Sequence, residues 1–244
     1  CYTTHADQKQ NNRHCEDLLY QAEVFATVAQ LVASQPYPKS DIDIAWKKLL
    51  FNQFHDILPG TSIPEVFVEA NRDWEKVKEI GERIVEKSVD AIAQLIPFSK
   101  APHPEAKPIV VFNPLSWAQT SVITFTIPDF PEHSNQTWKV YDSSKTDFPC
   151  QLTQEQSGNH QHATLSVLIR NLPAIGYKVL WLFQSSEPAS HSLPEHFTLE
   201  NKFLKAVINP TTGHITSLIE KSTQTETFSQ PGNQLQAYQD KGHY

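Results

Sequence analysis

His55 and Asp56 stand side by side in the stretch Asn52-Gln-Phe-His-Asp-Ile-Leu-Pro-Gly-Thr61. Both are metal-ligand and hydrogen-bonding side chains. On a helix running from about Asp41 to Asp56, with Trp46 at the centre of the buried stripe and about 100° per residue, His55 falls about 180° round. Asp56 falls nearer the flank. The pair then points away from its own core, near a helix C-terminus and ahead of a Pro59-Gly60 stop. Spacing alone favours a plain structural reading, because a histidine there complements the helix macrodipole and an aspartate is often simply solvated.

Other reactive side chains are less telling. His160 and His162 have a genuine metal-ligand spacing, but the stretch Gly158-Asn-His-Gln-His-Ala163 looks turn-like and contains no acidic or thiol side chain. A surface loop is expected there. Cys1, Cys15 and Cys150 are odd in number and form no CxxC, which points to free thiols in a reducing compartment. Asn135-Gln-Thr137 is a glycosylation sequon that matters only in a secreted protein.

Composition narrows the function classes. Charged residues at 19%, hydrophobics at 39% and aromatics at 10% are globular values. A net charge of -7 without a Lys/Arg cluster argues against nucleic acid, whose phosphates need a basic footprint. No apolar run approaches the roughly 18 residues that span a bilayer, so no membrane segment is expected. Gly numbers 7, against about 17 from average usage, and the sequence holds neither GxGxxG nor a Walker-type loop. The chain contains no methionine and begins at Cys1, which leads us to expect a piece of a longer protein.

The elements that must position His55 and Asp56 read as helices. From Asn11 to about Ala33, Leu18, Ala22, Phe25, Ala29 and Val32 draw one apolar stripe, ended by Pro36 and Pro38. A second helix, capped by Ser40, has the stripe Ile42, Trp46, Leu49, Leu50, Phe54 and Ile57. Ser62 and Glu65 fit a capping box for a third helix from Ile63 to about Ile96, whose stripe is Ile63, Phe67, Ala70, Trp74, Val77, Ile84, Ala91 and Leu95. Three such stripes joined by short breaks satisfy one another as a three-helix bundle.

Residues 98–108 form a proline-rich linker, after which the hydrophobic period changes to two. Strands are expected at Pro108–Asn113, Thr120–Ile127, Thr137–Tyr141, Ala163–Ile169, Tyr177–Phe183, Phe197–Asn209 and His214–Glu220, with a hairpin loop at Asn209–Gly213. The expected fold class is α+β: a bundle over 1–97, the linker, then an antiparallel β-sandwich from 109 to 244, incomplete at its end.

Four strings resemble one known family. NQFHDILPGTSIPEV (Asn52–Val66), CYTTHADQKQNNRHCEDLLYQAE (Cys1–Glu23), ENKFLKAVINPTTGHITSLIEK (Glu200–Lys221) and GNQLQAYQDKGHY (Gly232–Tyr244) look like glycoside hydrolase family 38 α-mannosidases of the bacterial and cytosolic type, in the family's order. The resemblance implies a helical middle domain, preceded by the tail of a catalytic domain, and the start of a C-terminal β domain. It implies a retaining glycosidase with an Asp nucleophile, a second acidic residue as general acid and a zinc ion that binds mannose hydroxyls. The family's zinc-ligating His falls on His55, and the following Asp, which hydrogen-bonds sugar hydroxyls, falls on Asp56. A ligand pointing out of its own bundle is what a site shared with another domain requires.

This sequence also departs from the family pattern. It contains no second His-x-Asp ligand pair in a strand context and no nucleophile motif. Thr4 and His5, in the Tyr2–Ala6 string, are expected to line the end of the catalytic domain and approach the site. The implied partners are an α-mannoside or oligosaccharide and the chain's own N-terminal catalytic domain, with a homo-oligomer left open. A cytoplasmic location follows from the free thiols. By itself the chain is expected to bind zinc poorly and hydrolyse nothing. The rival readings are a non-catalytic carbohydrate-binding β-sandwich with a helical spacer, and an adaptor bundle. The His-Asp pair disfavours the first, since a spacer has no use for it. Solvated faces with Lys47, Lys48, Glu75, Lys76 and Glu79 disfavour the second.

Overall fold

The computed structural model describes residues 3–127, 137–157, 160–185 and 197–236. Three helices come first: α1 (Ala6–Ala33), α2 (Lys39–Asn52) and α3 (Pro64–Ala93). Their core joins Cys15, Leu19, Ala22 and Ala26 of α1, Ile42, Ala45 and Leu49 of α2, and Trp74, Val77, Ile80 and Ile84 of α3. The expected bundle is therefore present. Each fully buried Leu or Ile contributes about 1.5–3 kcal/mol relative to exposure, so this cluster dominates the stability of the helices.

The stripes differ in detail from expectation. In α2 the buried positions are Ile42, Ala45, Leu49 and Asn52, while Trp46 is half-buried and Leu50 and Phe54 are exposed. The small residue Ala45, not the indole, lets α2 approach its neighbours. Ser40 lies inside the helix, whose N-cap is Pro38 without a side-chain cap. The N-cap of α3 is Ile63, and the Ser62–Glu65 capping box does not form because the Ser62 hydroxyl is committed elsewhere. Val32, Ile63 and Leu95, at the ends of their stripes, are exposed.

Seven strands follow, among the described residues, within the same compact unit (Cys1–Pro188). They are β1 (Lys107–Asn113), β2 (Gln119–Ile127), β3 (Thr137–Asp142), β4 (Asp147–Phe148), β5 (Cys150–Ser157), β6 (His160–Leu172) and β7 (Gly176–Ser185). One antiparallel sheet has the order β1-β7-β3-β4 and the other β2-β6-β5. Val140, Phe148, Leu180 and Leu182 of the first share a core with Ile127, Ala163, Leu165, Val167 and Ile169 of the second, which makes a sandwich. The alternation at Ala163, Leu165, Val167 and Ile169 is the period-two pattern read from sequence.

The short strand β4 and the polar strand β5 carried no hydrophobic alternation and were not foreseen. β5 forms because it pairs with β6 from Cys150↔Val167 to Ser157↔His160. The backbone of His160 and His162 accordingly runs in a strand in place of the expected loop; their side chains lie outside the described residues, as does the sequon residue Asn135. The proline-rich segment is not a free spacer: Phe98 meets the Trp181 ring edge-on, and His103 stacks on Phe183 at 4.8 Å.

The second compact unit, Ala189–Tyr244, holds β8 (Thr198–Glu200), β9 (Leu204–Ile208), β10 (Ile215–Glu220) and β11 (Thr225–Glu226) in the antiparallel order β11-β10-β9-β8. The expected single run Phe197–Asn209 is split by a turn in which Asn201 Oδ1 accepts from the N–H groups of Phe203 and Leu204. The hairpin loop at Asn209–Gly213 forms as expected, with Gly213 at φ 72°.

Candidate functional site

The turn between α2 and α3 is built from below. The helix stops at Asn52, whose buried amide donates to the Ala70 carbonyl at 3.0 Å. Gln53 Nε2 donates to Asn12 Oδ1 and Glu16 Oε1 of α1 at 3.0 and 2.8 Å. Successive residues thus anchor to α3 and to α1, and the chain leaves the helix earlier than the apolar period of Phe54 and Ile57 suggests. Beneath the turn, fully buried Gln8 accepts from Trp74 Nε1 at 2.8 Å and donates to Asn71 Oδ1 at 2.7 Å. Buried polar groups satisfied in this way fix one arrangement, since losing a partner would leave an unpaired atom in a dry interior.

His55 and Asp56 therefore lie beyond α2, not on it, and the helical phase argument does not apply to them. The pair nonetheless faces away from the bundle core. Ile57 is buried at the bundle end, while the His55 and Asp56 side chains are 76% and 53% exposed. His55 Nε2 lies 3.4 Å from Asp56 Oδ2, and the imidazole leans on the Phe54 ring at 4.1 Å.

Asp56 is held from the far side. Its carbonyl accepts from the N–H groups of Thr61 and Ser62 at 3.1 and 2.9 Å and from the Ser62 hydroxyl at 2.8 Å. Its Oδ1 accepts from the Thr61 hydroxyl at 3.0 Å. One carboxylate oxygen is thus oriented by the loop, and the other faces the imidazole. Thr61 and Ser62 went unrecognised in the sequence, where Ser62 read as a helix cap. Thr4 and His5 come to this loop at Gly60, where an added Cβ would lie 2.8 Å from the Thr4 carbonyl oxygen and 3.1 Å from His5 Cβ, and the His5 ring stacks on Phe67 of α3 at 3.9 Å.

An imidazole beside a carboxylate suits a borderline-soft divalent cation or a pair of sugar hydroxyls. Among the described residues no group of three or more His, Cys, Asp or Glu side chains could hold a metal ion. Among them, too, no helix is long and apolar enough to cross a membrane.

Comparison with known proteins bears on the family and the fold. Residues 1–92 match the α-mannosidase middle domain, and residues 199–244 match the C-terminal domain of glycosyl hydrolases family 38. α-Mannosidase 2C1 of Mus musculus is 27% identical over 98% of this chain and 20% of its own length. Epididymis-specific α-mannosidase of Sus scrofa is 32% identical over 54% of this chain and 14% of its own. An α-mannosidase crystal structure from Enterococcus faecalis V583 superposes over 91% of this chain and 29% of that one, with a TM-score of 0.70 at 20% identity, a likeness of fold. The chain spans about a fifth of the length of the first of these relatives. With both matched domains in order and together covering more than half of its residues, the chain belongs to the α-mannosidases of glycoside hydrolase family 38.

Proposed function

We propose that this chain is part of a retaining, zinc-dependent α-mannosidase acting on terminal α-mannosides, with His55 as one zinc ligand and Asp56 as a substrate-binding carboxylate. The observation that supports the reading is the exposed His55–Asp56 pair, turned outward on a loop anchored to both α1 and α3. An imidazole nitrogen of His55 would be the donor to the metal. Asp56, with Oδ1 fixed by Thr61, accepts from sugar hydroxyls through its exposed carboxylate. Bound zinc would orient the sugar hydroxyls and favour distortion toward an oxocarbenium-like transition state.

The nucleophile, the general acid and the remaining ligands belong, in this reading, to a catalytic domain outside the chain, which is inactive without it. We place the enzyme in the cytoplasm on the strength of its free thiols: Cys15 is buried in the bundle and Cys150 half-buried in the sandwich, donating to the Trp138 carbonyl at 3.1 Å.

The test uses the full-length protein, measuring zinc content and aryl-α-mannoside hydrolysis. His55→Ala is expected to lose both. Asp56→Asn keeps its zinc but turns over more slowly. Unchanged zinc and activity in His55→Ala would remove this residue from the site, and loss of zinc from Asp56→Asn would make Asp56 a ligand instead.

A further inference from the structure

The segment ahead of α1 and the turn that closes the His55–Asp56 loop meet at one side chain. Half-buried Lys9 donates from its ammonium to the carbonyls of Thr4, Leu58 and Pro59, at 2.7, 3.0 and 3.1 Å. An ammonium has three N–H donors and no acceptor, so three carbonyls saturate it. The loop's own backbone bonds use the carbonyls of Phe54, Asp56 and Ile57 as acceptors, and Lys9 takes the next two along the chain. Because its partners are all main-chain oxygens, no side-chain rotation on their part releases the contact.

Gly60 completes the junction. It is buried at φ 87°, and a Cβ there would lie 2.8 Å from the Thr4 carbonyl oxygen, so the turn and the entering segment approach too closely for any side chain. A cation in the first turn of a helix opposes the macrodipole. Lys9 is therefore a poor choice for α1 itself and a good one for the loop.

The geometry points to Lys9 as the positioning residue of the His55–Asp56 loop. It does not touch the pair; it fixes the chain path two and three residues beyond Asp56 against Thr4, so that the imidazole and the carboxylate are held ready for metal and sugar. This rests on the site assignment proposed above. Displacing reacting groups by about 1 Å, or removing a residue that orients a ligand, costs roughly 10–100-fold in affinity or rate.

The experiment compares Lys9→Met and Lys9→Arg in the full-length protein by three readouts: amide hydrogen exchange of peptides covering residues 53–62, zinc affinity by chelator competition, and kcat and KM on an aryl α-mannoside. Lys9→Gln, which keeps two N–H donors, takes the place of the methionine variant if that one does not fold. We expect faster exchange in the loop while peptides of the bundle core around Leu19 and Val77 are unchanged. Zinc affinity and kcat/KM should each fall about tenfold or more, and Lys9→Arg should recover most of both. Wild-type exchange in the loop of Lys9→Met overturns the proposal. So does a loosened loop with normal zinc affinity and kinetics, since Lys9 would then serve stability alone. His55→Ala, measured alongside, separates the two readings. If it keeps zinc and turnover, the site assignment fails and takes the role of Lys9 with it. If it is defective while Lys9→Met is normal, only Lys9 is excluded.

Discussion

Thr61 binds Asp56 through its hydroxyl, which lies 3.0 Å from Oδ1 and 3.5 Å from the carbonyl oxygen, and through its backbone N–H to that carbonyl at 3.1 Å. The backbone bond sets the loop, and the hydroxyl sets the carboxylate rotamer. The two roles can be separated by chemistry.

Thr61→Val keeps the β-branched shape and the backbone N–H but deletes the hydroxyl. A single exposed hydrogen bond to a carboxylate is worth about 1 kcal/mol, or roughly fivefold in an equilibrium or rate. We expect a drop of about that size in kcat/KM of the full-length enzyme, with thermal stability unchanged. An unaffected kcat/KM would show that the Asp56 rotamer is set by the bound partner and not by Thr61.

The helical half was legible in the sequence because Leu18, Ala22, Phe25 and Ala29, or Trp74, Val77 and Ile84, repeat with the helical period and are buried. Legibility failed where non-local hydrogen bonds overrode the period. Phe54 and Ile57 continue the stripe of α2, yet the anchoring of Asn52 to Ala70 and of Gln53 to Asn12 and Glu16 ends the helix before them. Ser62 and Glu65 have capping-box spacing, but the Ser62 hydroxyl is taken by the Asp56 carbonyl. The polar strand β5 has no alternation to reveal it. His55 and Asp56 stand out in the sequence only through their string, whereas Lys9 and Gln8 make contacts across about 50–65 residues of chain and leave no local pattern.

The contact between α1 and α3 gives a second test. A Cβ on Gly81 would lie 2.7 Å from Leu18 Cγ and 2.8 Å from its Cδ2, so glycine here permits the helices to approach. Gly81→Ala gains about 1 kcal/mol of helix propensity and loses about 1–3 kcal/mol to overpacking. The expected net effect is destabilising. Leu18→Ala alone is also destabilising, through lost burial. In the double variant the alanine methyl occupies space vacated by Leu18, so the two losses fall short of additive by about 1 kcal/mol. Urea unfolding of the four proteins in the cycle measures this, and strict additivity would mean that Leu18 moves aside at no cost.

Acid should act locally on the second compact unit through Glu226. Its carboxylate accepts from the Ser217 hydroxyl and from the N–H groups of Leu218 and Phe228 at 2.9 and 3.0 Å. These bonds, that to Ser217 foremost, pull its pKa down to about 2. A depressed carboxylate pKa contributes stability that is fully present above the unfolded value of about 4.5, and that is lost as pH falls through about 2. The Leu218 and Phe228 amides are therefore expected to lose protection between pH 4.5 and 2, after correction for intrinsic exchange, as the carboxylate protonates and its acceptor strength falls. Glu226→Gln should show weaker protection at neutral pH and no further step in acid. An acid step that persists in that variant would assign the titration to Glu200 or Glu220, whose pKa values are also lowered, by Lys221 and by Thr223 with Ser222 respectively.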